Sequence, residues 1–129
     1  MKNSFTLTIT LSASPQEIYD AWLSSDGHTA MTGSAAKIEP EVGGAFTAWD
    51  GYISGKILEL ESPRRIVQAW RTSEFPEEAP DSRIEVLLEA IKGGTKLTLV
   101  HTDMPEGTAD SYRQGWEDFY FKPMKEHFG

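Results

Sequence analysis

The C-terminal stretch from Thr108 to Phe128 constrains the fold more than any other part of the chain. Its apolar residues recur at steps of three and four, which places them on one side of an α-helix. This helix would be roughly 30 Å long, since each residue adds about 1.5 Å. Burying one large apolar side chain is worth about 1.5–3 kcal/mol, so an aromatic face of this size requires a broad concave partner. The residues on the predicted face are Tyr112, Trp116, Phe119, Tyr120, Pro123, Met124 and Phe128.

The same stretch carries signals for how the helix begins and bends. Thr108 stands at the predicted N-cap position, and Asp110 complements the helix dipole in the first turn. Pro123 removes one backbone donor and crowds the carbonyl oxygen of Phe119, so we expect a bend there. Core packing is the ordinary interpretation of the aromatic face, and pocket lining is the alternative.

The N-terminal part of the chain predicts one strand followed by short helices. Asn3 to Leu11 alternates apolar residues with threonines, which is typical of a half-buried strand. Ser14-Pro15-Gln16-Glu17 is a capping box with proline at the first helical position, and it predicts a helix as far as Leu23. A further helical turn is predicted from His28 to Met31, before Gly33 ends it.

The middle of the chain, from Ala35 to Asp103, reads as strands joined by tight turns. Asp50-Gly51 is the strongest hairpin signal, because a type I′ turn requires positive φ at both central residues. Tight turns between consecutive strands predict an antiparallel meander. The predicted fold class is therefore α+β, in which a curved antiparallel sheet of about seven strands surrounds the long C-terminal helix, with two short helices after the first strand. We interpret residues 1–129 as a single domain.

The charge balance and the lack of cysteine limit the function classes. With 12 basic and 20 acidic residues, the chain has a net charge of −8 and no basic run, so neither nucleic acid nor an anionic membrane surface is expected as a partner. The absence of cysteine excludes disulfides, thiol catalysis and thiolate metal sites. Met1 to Leu11 lacks the apolar run of a signal peptide, and no window approaches the ~20 apolar residues of a membrane span. We expect a soluble cytoplasmic protein.

Two runs of sequence resemble a known family. The run GGAFTAWDGYISGKILELESPRRIVQAWR and the closing run RQGWEDFYFKPMKEHFG resemble the activator of heat-shock protein 90 ATPase, in its C-terminal domain. The matching positions include Phe46, Asp50-Gly51, Trp70-Arg71, Gly115-Trp116 and Tyr120-Phe121. The resemblance implies a helix-grip domain, similar to START and birch-pollen-allergen folds, with a cavity between the sheet and the helix. It also implies a heat-shock protein 90 relative as a candidate partner.

The resemblance extends to one domain of a larger protein. The resemblance implies that the eukaryotic activator has two domains, and that its separate N-terminal domain makes the main contact with the chaperone. We find no counterpart of that domain in these 129 residues, so we do not expect ATPase activation to follow from the fold alone.

The candidate site residues come from several predicted elements. His101 lies on the same strand face as Leu97 and Leu99, so we expect its side chain to point inward. It is either a polar group that contacts a ligand at the mouth of a cavity or a hydrogen-bonded core histidine. The four tryptophans belong to separate elements that would converge on one layer. We expect His28 and His127 at the surface. The predicted cavity-lining residues are Trp22, Met31, Phe46, Trp49, Trp70, His101, Tyr112, Trp116 and Tyr120.

No combination of residues predicts a catalytic or metal site. The histidines are far apart without an HExxH pair, the segment from Gly51 to Lys56 has the wrong spacing for a phosphate loop, and no GxSxG motif occurs. We therefore predict no cofactor, no metal, and a domain that binds a small apolar ligand between the sheet and the helix. The alternative is a co-chaperone-like protein that binds a heat-shock protein 90 relative. A third hypothesis is a cyclase- or hydrolase-type enzyme that uses His101 with Tyr120.

Overall fold

The computed structural model describes residues 3–129, and its helices and strands follow the predicted order. Met1 and Lys2, which the predicted single domain includes, lie outside the described residues. The strands are β1 (Phe5–Leu11), β2 (Lys37–Ile38), β3 (Ala45–Ala48), β4 (Ile53–Glu61), β5 (Arg65–Thr72), β6 (Ser82–Ile91) and β7 (Gly94–Thr102). The helices are α1 (Pro15–Leu23), α2 (Ser25–Thr32), α3 (Ala109–Trp116), a π-helical turn (Glu117–Phe121) and α4 (Lys122–Phe128).

The strands form one antiparallel sheet in the order β1-β7-β6-β5-β4-β3-β2. Leu99 on β7 lies opposite Leu7 on β1 and opposite Val86 on β6, and all three side chains are buried. The alternation of buried and more exposed residues holds along β1, β6 and β7, as the period-two pattern predicts, whereas a bulge between Ile57 and Glu59 interrupts it in β4. The α+β class, the seven antiparallel strands, the two short helices and the C-terminal helical segment are confirmed.

The capping box fixes the beginning of α1. The hydroxyl of Ser14 accepts a hydrogen bond from the Glu17 backbone N–H at 3.2 Å, and the Glu17 carboxylate accepts from the Ser14 N–H at 3.1 Å. The helix then buries Ile18 and Trp22 against the sheet. The indole N–H of Trp22 donates to Oε1 of Gln68 on β5 at 2.8 Å, so a buried polar pair holds α1 in register with the sheet.

The C-terminal segment differs from the single regular helix predicted for it. A π-helical turn lies between α3 and α4, and at its end the Lys122 N–H bonds to the carbonyl oxygen of Glu117, five residues earlier. Because this turn is wider than an α-helical one, steps of four and five residues stay on the buried side. Tyr120 and Phe121 therefore pack inward, whereas Phe119 is 56% exposed. The prediction that put Phe119 on the buried face and omitted Phe121 was wrong for this reason.

Thr108 is the N-cap residue of α3, as predicted, but its side chain does not cap the helix. Its backbone has φ −103° and ψ −8°, and its side chain makes no capping hydrogen bond. Instead the hydroxyl donates to the carbonyl oxygen of Pro105 at 2.6 Å. A capping side chain requires an extended backbone at the cap residue, which the turn before α3 does not provide.

The turn between β3 and β4 is longer than the predicted two-residue hairpin. Ala48 pairs with Ile53, so residues 49–52 form a four-residue loop. Positive φ occurs at Trp49 (51°), Asp50 (57°) and Gly51 (88°). A bulky residue rarely adopts a positive φ. At Trp49 this conformation ends the strand and directs the side chain toward the C-terminal helical segment. There the ring of Trp49 lies 5.4 Å from the ring of Phe119, measured between centroids.

Candidate functional site

An aromatic pocket opens between the end of the sheet and the C-terminal helical segment. Its volume is about 470 Å³, which is in the range of small-molecule sites. The β3–β4 turn, β5 and the segment after it form one wall, and α3 with the π-helical turn forms the other. Most of its lining side chains are aromatic. The lining residues are Trp49, Tyr52, Ile53, Trp70, Glu74, Ser111, Tyr112, Gly115, Trp116, Phe119 and Tyr120.

The structure brings only part of the predicted set to this pocket. The predicted residues on its wall are Trp49, Trp70, Tyr112, Trp116 and Tyr120. The others lie away from the wall: Trp22, Met31, Phe46 and His101 are buried core residues. Trp22, for example, stacks behind Trp116 with the ring centroids 6.3 Å apart. A sequence pattern predicts which face of an element is buried but not how deep each side chain lies, so it does not separate core residues from residues on the pocket wall.

His101 is the hydrogen-bonded core histidine of the two alternatives. The indole N–H of Trp116 donates to its Nδ1 at 3.0 Å, so the proton of the neutral ring is on Nε2. That nitrogen lies 2.9 Å from the hydroxyl oxygen of Ser82, which donates in turn to the carbonyl oxygen of Trp70 at 2.6 Å. Burial lowers the pKa of His101 to about 3. Both ring nitrogens are therefore occupied, and the ring is neutral at physiological pH.

The prediction that His28 lies at the surface is wrong. His28 is 2% exposed, and its Nδ1 lies 2.8 Å from the carbonyl oxygen of Trp22, to which only a protonated Nδ1 can donate. Nε2 then accepts from the hydroxyl of Tyr120 at 2.7 Å. Burial lowers the pKa of His28 to about 4 and raises that of Tyr120. The polar sequence of α2 did not indicate that His28 is buried, although His28, Met31 and Thr32 share one buried helical face.

Three polar groups on the inner wall already have partners inside the protein. Besides Tyr120 with His28 and Trp116 with His101, the hydroxyls of Tyr112 and Thr72 share a hydrogen bond of 2.7 Å. These side chains therefore offer a ligand mainly the faces of their rings. One exception is at the rim, where the buried indole N–H of Trp49 has no partner among the described residues.

Among the described residues, one side chain at the rim of the pocket forms an ion. The hydroxyl of Tyr52 donates to Oε1 of Glu74 at 2.7 Å, and the backbone N–H of Glu74 donates to the hydroxyl of Thr72 at 3.2 Å. Burial, with the bond to Glu74 as a second cause, raises the pKa of Tyr52 to about 12. Glu74 is exposed, but these two bonds hold it at the pocket mouth.

Several wall residues were missing from the predicted set. Ser111 and Gly115 precede Phe119 at steps of four, and small residues on one helical face are a usable signal for a concave surface. Tyr52 gave no signal because the turn was predicted to be two residues shorter. For Glu74 we find no sequence signal, since acidic residues in loops are ordinarily solvated.

The described residues show no sign of a metal site or a membrane span. Within residues 3–129, no group of three His, Asp or Glu side chains is placed to hold a metal ion. None of the helices in this range combines the length and the apolar character needed to cross a bilayer.

Sequence comparison relates this chain to known proteins. Residues 12–129 match the family described as Activator of Hsp90 ATPase homolog 1-like protein. The chain belongs to this family. It is 32% identical over 124 residues to the activator of 90 kDa heat shock protein ATPase homolog 1 of Homo sapiens, which covers 96% of this chain and 36% of that protein. A Dictyostelium discoideum activator homologue is 27% identical, over 89% of this chain and 30% of its own length. The chain thus spans about a third of these curated relatives.

Solved structures of similar length share the fold of this Hsp90 activator homologue. One, described as an HSP90 activator from Plasmodium falciparum, has a TM-score of 0.88 and 26% identity and covers 96% of this chain and 94% of that chain. A protein from Chromobacterium violaceum has a TM-score of 0.79 with 25% identity over 98% and 96% of the two chains. At 20% identity, a structure described as the Aha1 dimer from Colwellia psychrerythraea supports the fold alone, with a TM-score of 0.79 over 97% and 95%.

Proposed function

We propose that this Hsp90 activator homologue is a non-catalytic binding domain that holds a small, largely apolar molecule in the aromatic pocket. The observation that carries the proposal is the pocket itself, about 470 Å³ of space walled by aromatic side chains. Aromatic walls that remain partly open to solvent are costly, and a ligand that covers them contributes about 25 cal/mol for each Å² of apolar surface removed from water.

The arrangement of polar groups supports binding rather than catalysis. Catalysis by the third hypothesis needs a histidine that can exchange a proton with a molecule in the pocket. His101 is not on the pocket wall, and its nitrogens are bonded to Trp116 and Ser82. Tyr120 is on the wall, but its hydroxyl donates to His28. Neither side chain is free to act as an acid or base on a ligand.

A co-chaperone role is the second candidate function, and the comparisons favour it. The solved chain of the Plasmodium falciparum protein described as an HSP90 activator is matched over 94% of its length, so that chain has about the extent of this domain. The human and Dictyostelium relatives are about three times longer than the matched segment, and their activity belongs to the whole proteins. On this view the chain binds a heat-shock protein 90 relative and changes its ATP turnover.

Three measurements test the two candidates. Native mass spectrometry of the protein purified from its own host reports a retained ligand as extra mass that is lost on denaturation. Small aromatic compounds should also raise the melting temperature in proportion to their binding. The co-chaperone function replaces the ligand-binding function if neither assay detects a bound ligand while the protein changes the ATP turnover of an Hsp90 relative in a concentration-dependent way.

A further inference from the structure

We propose that the pocket selects an organic cation, a small molecule with a quaternary ammonium group on an apolar body. This inference rests on the proposed ligand-binding function and names the chemical class of the ligand. It is carried by two features of the pocket: ring faces set at angles around one space, and a carboxylate fixed at the mouth. A cation over the face of an aromatic ring is attracted by the ring quadrupole, most strongly by tryptophan.

The ring planes in the pocket meet at steep angles. Trp70 and Tyr112 lie 86° apart in plane, with centroids separated by 5.3 Å. At the rim, Trp49 and Phe119 are inclined by 68° at 5.4 Å. At these centroid separations the two rings of each pair contact each other edge to face, so their planes turn in different directions around the pocket. A compact cationic group in the pocket space can then contact the faces of several lining rings at once.

The one formal charge among the described lining residues also favours a cation, whereas the unpartnered indole N–H of Trp49 is a neutral donor. Among residues 3–129, Glu74 is the one lining residue that forms an ion, and no Lys, Arg or His lines the pocket. The hydrogen bond from Tyr52 holds this carboxylate at the mouth, where its charge attracts a cation and repels an anion. The net charge of −8 acts in the same direction at longer range. Fatty acids and other carboxylates are therefore poor candidates for this pocket.

Three probes of similar size separate charge from shape. They are (4-hydroxyphenyl)trimethylammonium, its neutral isostere 4-tert-butylphenol, and the anion 4-tert-butylbenzoate. Calorimetric titration of the intact protein should give about 3- to 30-fold tighter binding of the cation than of the neutral isostere, as expected for cation–π contacts that are partly desolvated. The anion should bind most weakly. Raising the salt concentration should reduce only the part of the preference that comes from Glu74.

Two variants assign the preference to its sources. Glu74→Gln keeps an acceptor for the Tyr52 hydroxyl but removes the charge, so it should weaken cation binding severalfold and leave the neutral probe unchanged. Phe119→Leu removes an aromatic face at a position that is 56% exposed, so folding should be retained while the cation preference falls. Glu77→Gln, an exposed acid of the same loop that does not line the pocket, is the matched control.

The outcomes distinguish this inference from the proposed function. If the neutral isostere binds the wild-type protein as tightly as the cation, or if Glu74→Gln and Phe119→Leu both leave the ratio unchanged, the pocket binds ligands without charge selection and this inference is overturned. If none of the three probes binds, the proposed ligand-binding function itself fails. Tighter binding of the cation that is lost stepwise in the two variants supports both.

Discussion

The hydroxyl of Tyr120 lies 2.7 Å from Nε2 of His28, a residue 92 positions earlier in the chain. The bond joins the C-terminal π-helical turn to α2, and the second ring nitrogen of His28 bonds to the backbone of α1 through Trp22. A parallel link runs from Trp116 to His101 on β7. Both histidines must be neutral to make these contacts, because in each ring one nitrogen accepts a hydrogen bond. The packing of the helices on the sheet therefore depends on pH.

We expect the protein to lose stability in mild acid. Burial lowers the pKa of His28 to about 4 and that of His101 to about 3, whereas an unfolded histidine has a pKa of about 6.5. Below about pH 6.5 the unfolded chain therefore binds protons that the folded chain does not, and unfolding becomes easier. The contribution of the two neutral histidines to the free energy of unfolding is fully present above about pH 6.5. It falls toward pH 4 by up to about 1.4 kcal/mol per pH unit for each histidine. Urea titrations at about pH 7, 6 and 5 measure this slope.

The three histidines provide their own controls for this pH dependence. His127 is exposed, so His127→Gln should leave the slope between pH 7 and 5 unchanged. His28→Gln and His101→Gln should each reduce it, whatever their effect on stability at neutral pH. A wild-type slope near zero in this range would contradict neutral buried histidines.

His101→Leu should reduce stability without affecting ligand binding. Leucine has a similar volume, but it leaves the buried indole N–H of Trp116 without its acceptor. The expected loss is about 1–3 kcal/mol in the free energy of unfolding, measured by denaturant titration. In a double-mutant cycle with Trp116→Phe, which removes that N–H, the two losses should sum to more than the loss in the double variant. Unchanged stability with altered probe affinity would instead mean that His101 contacts the ligand in the pocket.

Trp116→Ala should be among the most damaging single changes. The side chain is 3% exposed and packs between Trp22, Trp70 and Tyr120, so its removal leaves a large cavity. We expect a loss of about 3–5 kcal/mol in a urea titration, a large fraction of the stability of a domain of this size. Phe119→Ala, on the exposed side of the same segment, should cost less than about 1 kcal/mol. Similar losses at the two positions would mean that the segment does not pack on the sheet as described.

Gly115 separates stability from binding at the pocket. A Cβ added there meets only the ring of Phe119, at 4.0 Å, and the residue lies inside α3. Gly115→Ala should therefore raise the unfolding free energy by about 0.5–1 kcal/mol through helix propensity. Gly115→Leu should fill part of the pocket and abolish probe binding while the protein stays folded. Gln114→Leu, on the exposed face of the same helix, is the control that should leave binding unchanged.

Much of the fold could be predicted because its signals are local. Alternation along residues such as Leu97 and Leu99 gives the buried face of a strand directly, and the Ser14–Glu17 capping box gives a helix start. The π-helical turn could not be predicted, because it accompanies the burial of both Tyr120 and Phe121, and Tyr120 packs against Trp22 and His28 from distant segments. The four-residue turn at Trp49 was missed for a related reason, since Asp50-Gly51 is compatible with more than one loop length.

The site was less accessible to sequence analysis than the fold. Parity correctly put His101 inside, but whether an inward side chain lies on a pocket wall or behind it depends on layers contributed by distant segments. His28 was placed at the surface because its helix is polar, and only the partner Tyr120, remote in sequence, explains its burial. Glu74 reaches the pocket through a hydrogen bond from Tyr52 that no pattern in the loop predicts.

Ligand binding in the aromatic pocket is tested most directly by a titration followed through the indole N–H signals of the four tryptophans in a ¹H–¹⁵N NMR spectrum. The three probes are added separately to the uniformly labelled protein. We predict that the cationic probe shifts the signals of Trp49 and Trp70, which line the pocket, while Trp22, bonded to Gln68 behind it, stays in place. If no probe shifts Trp49 or Trp70, or if Trp22 alone responds, the pocket does not bind small molecules and the proposed ligand-binding function is wrong.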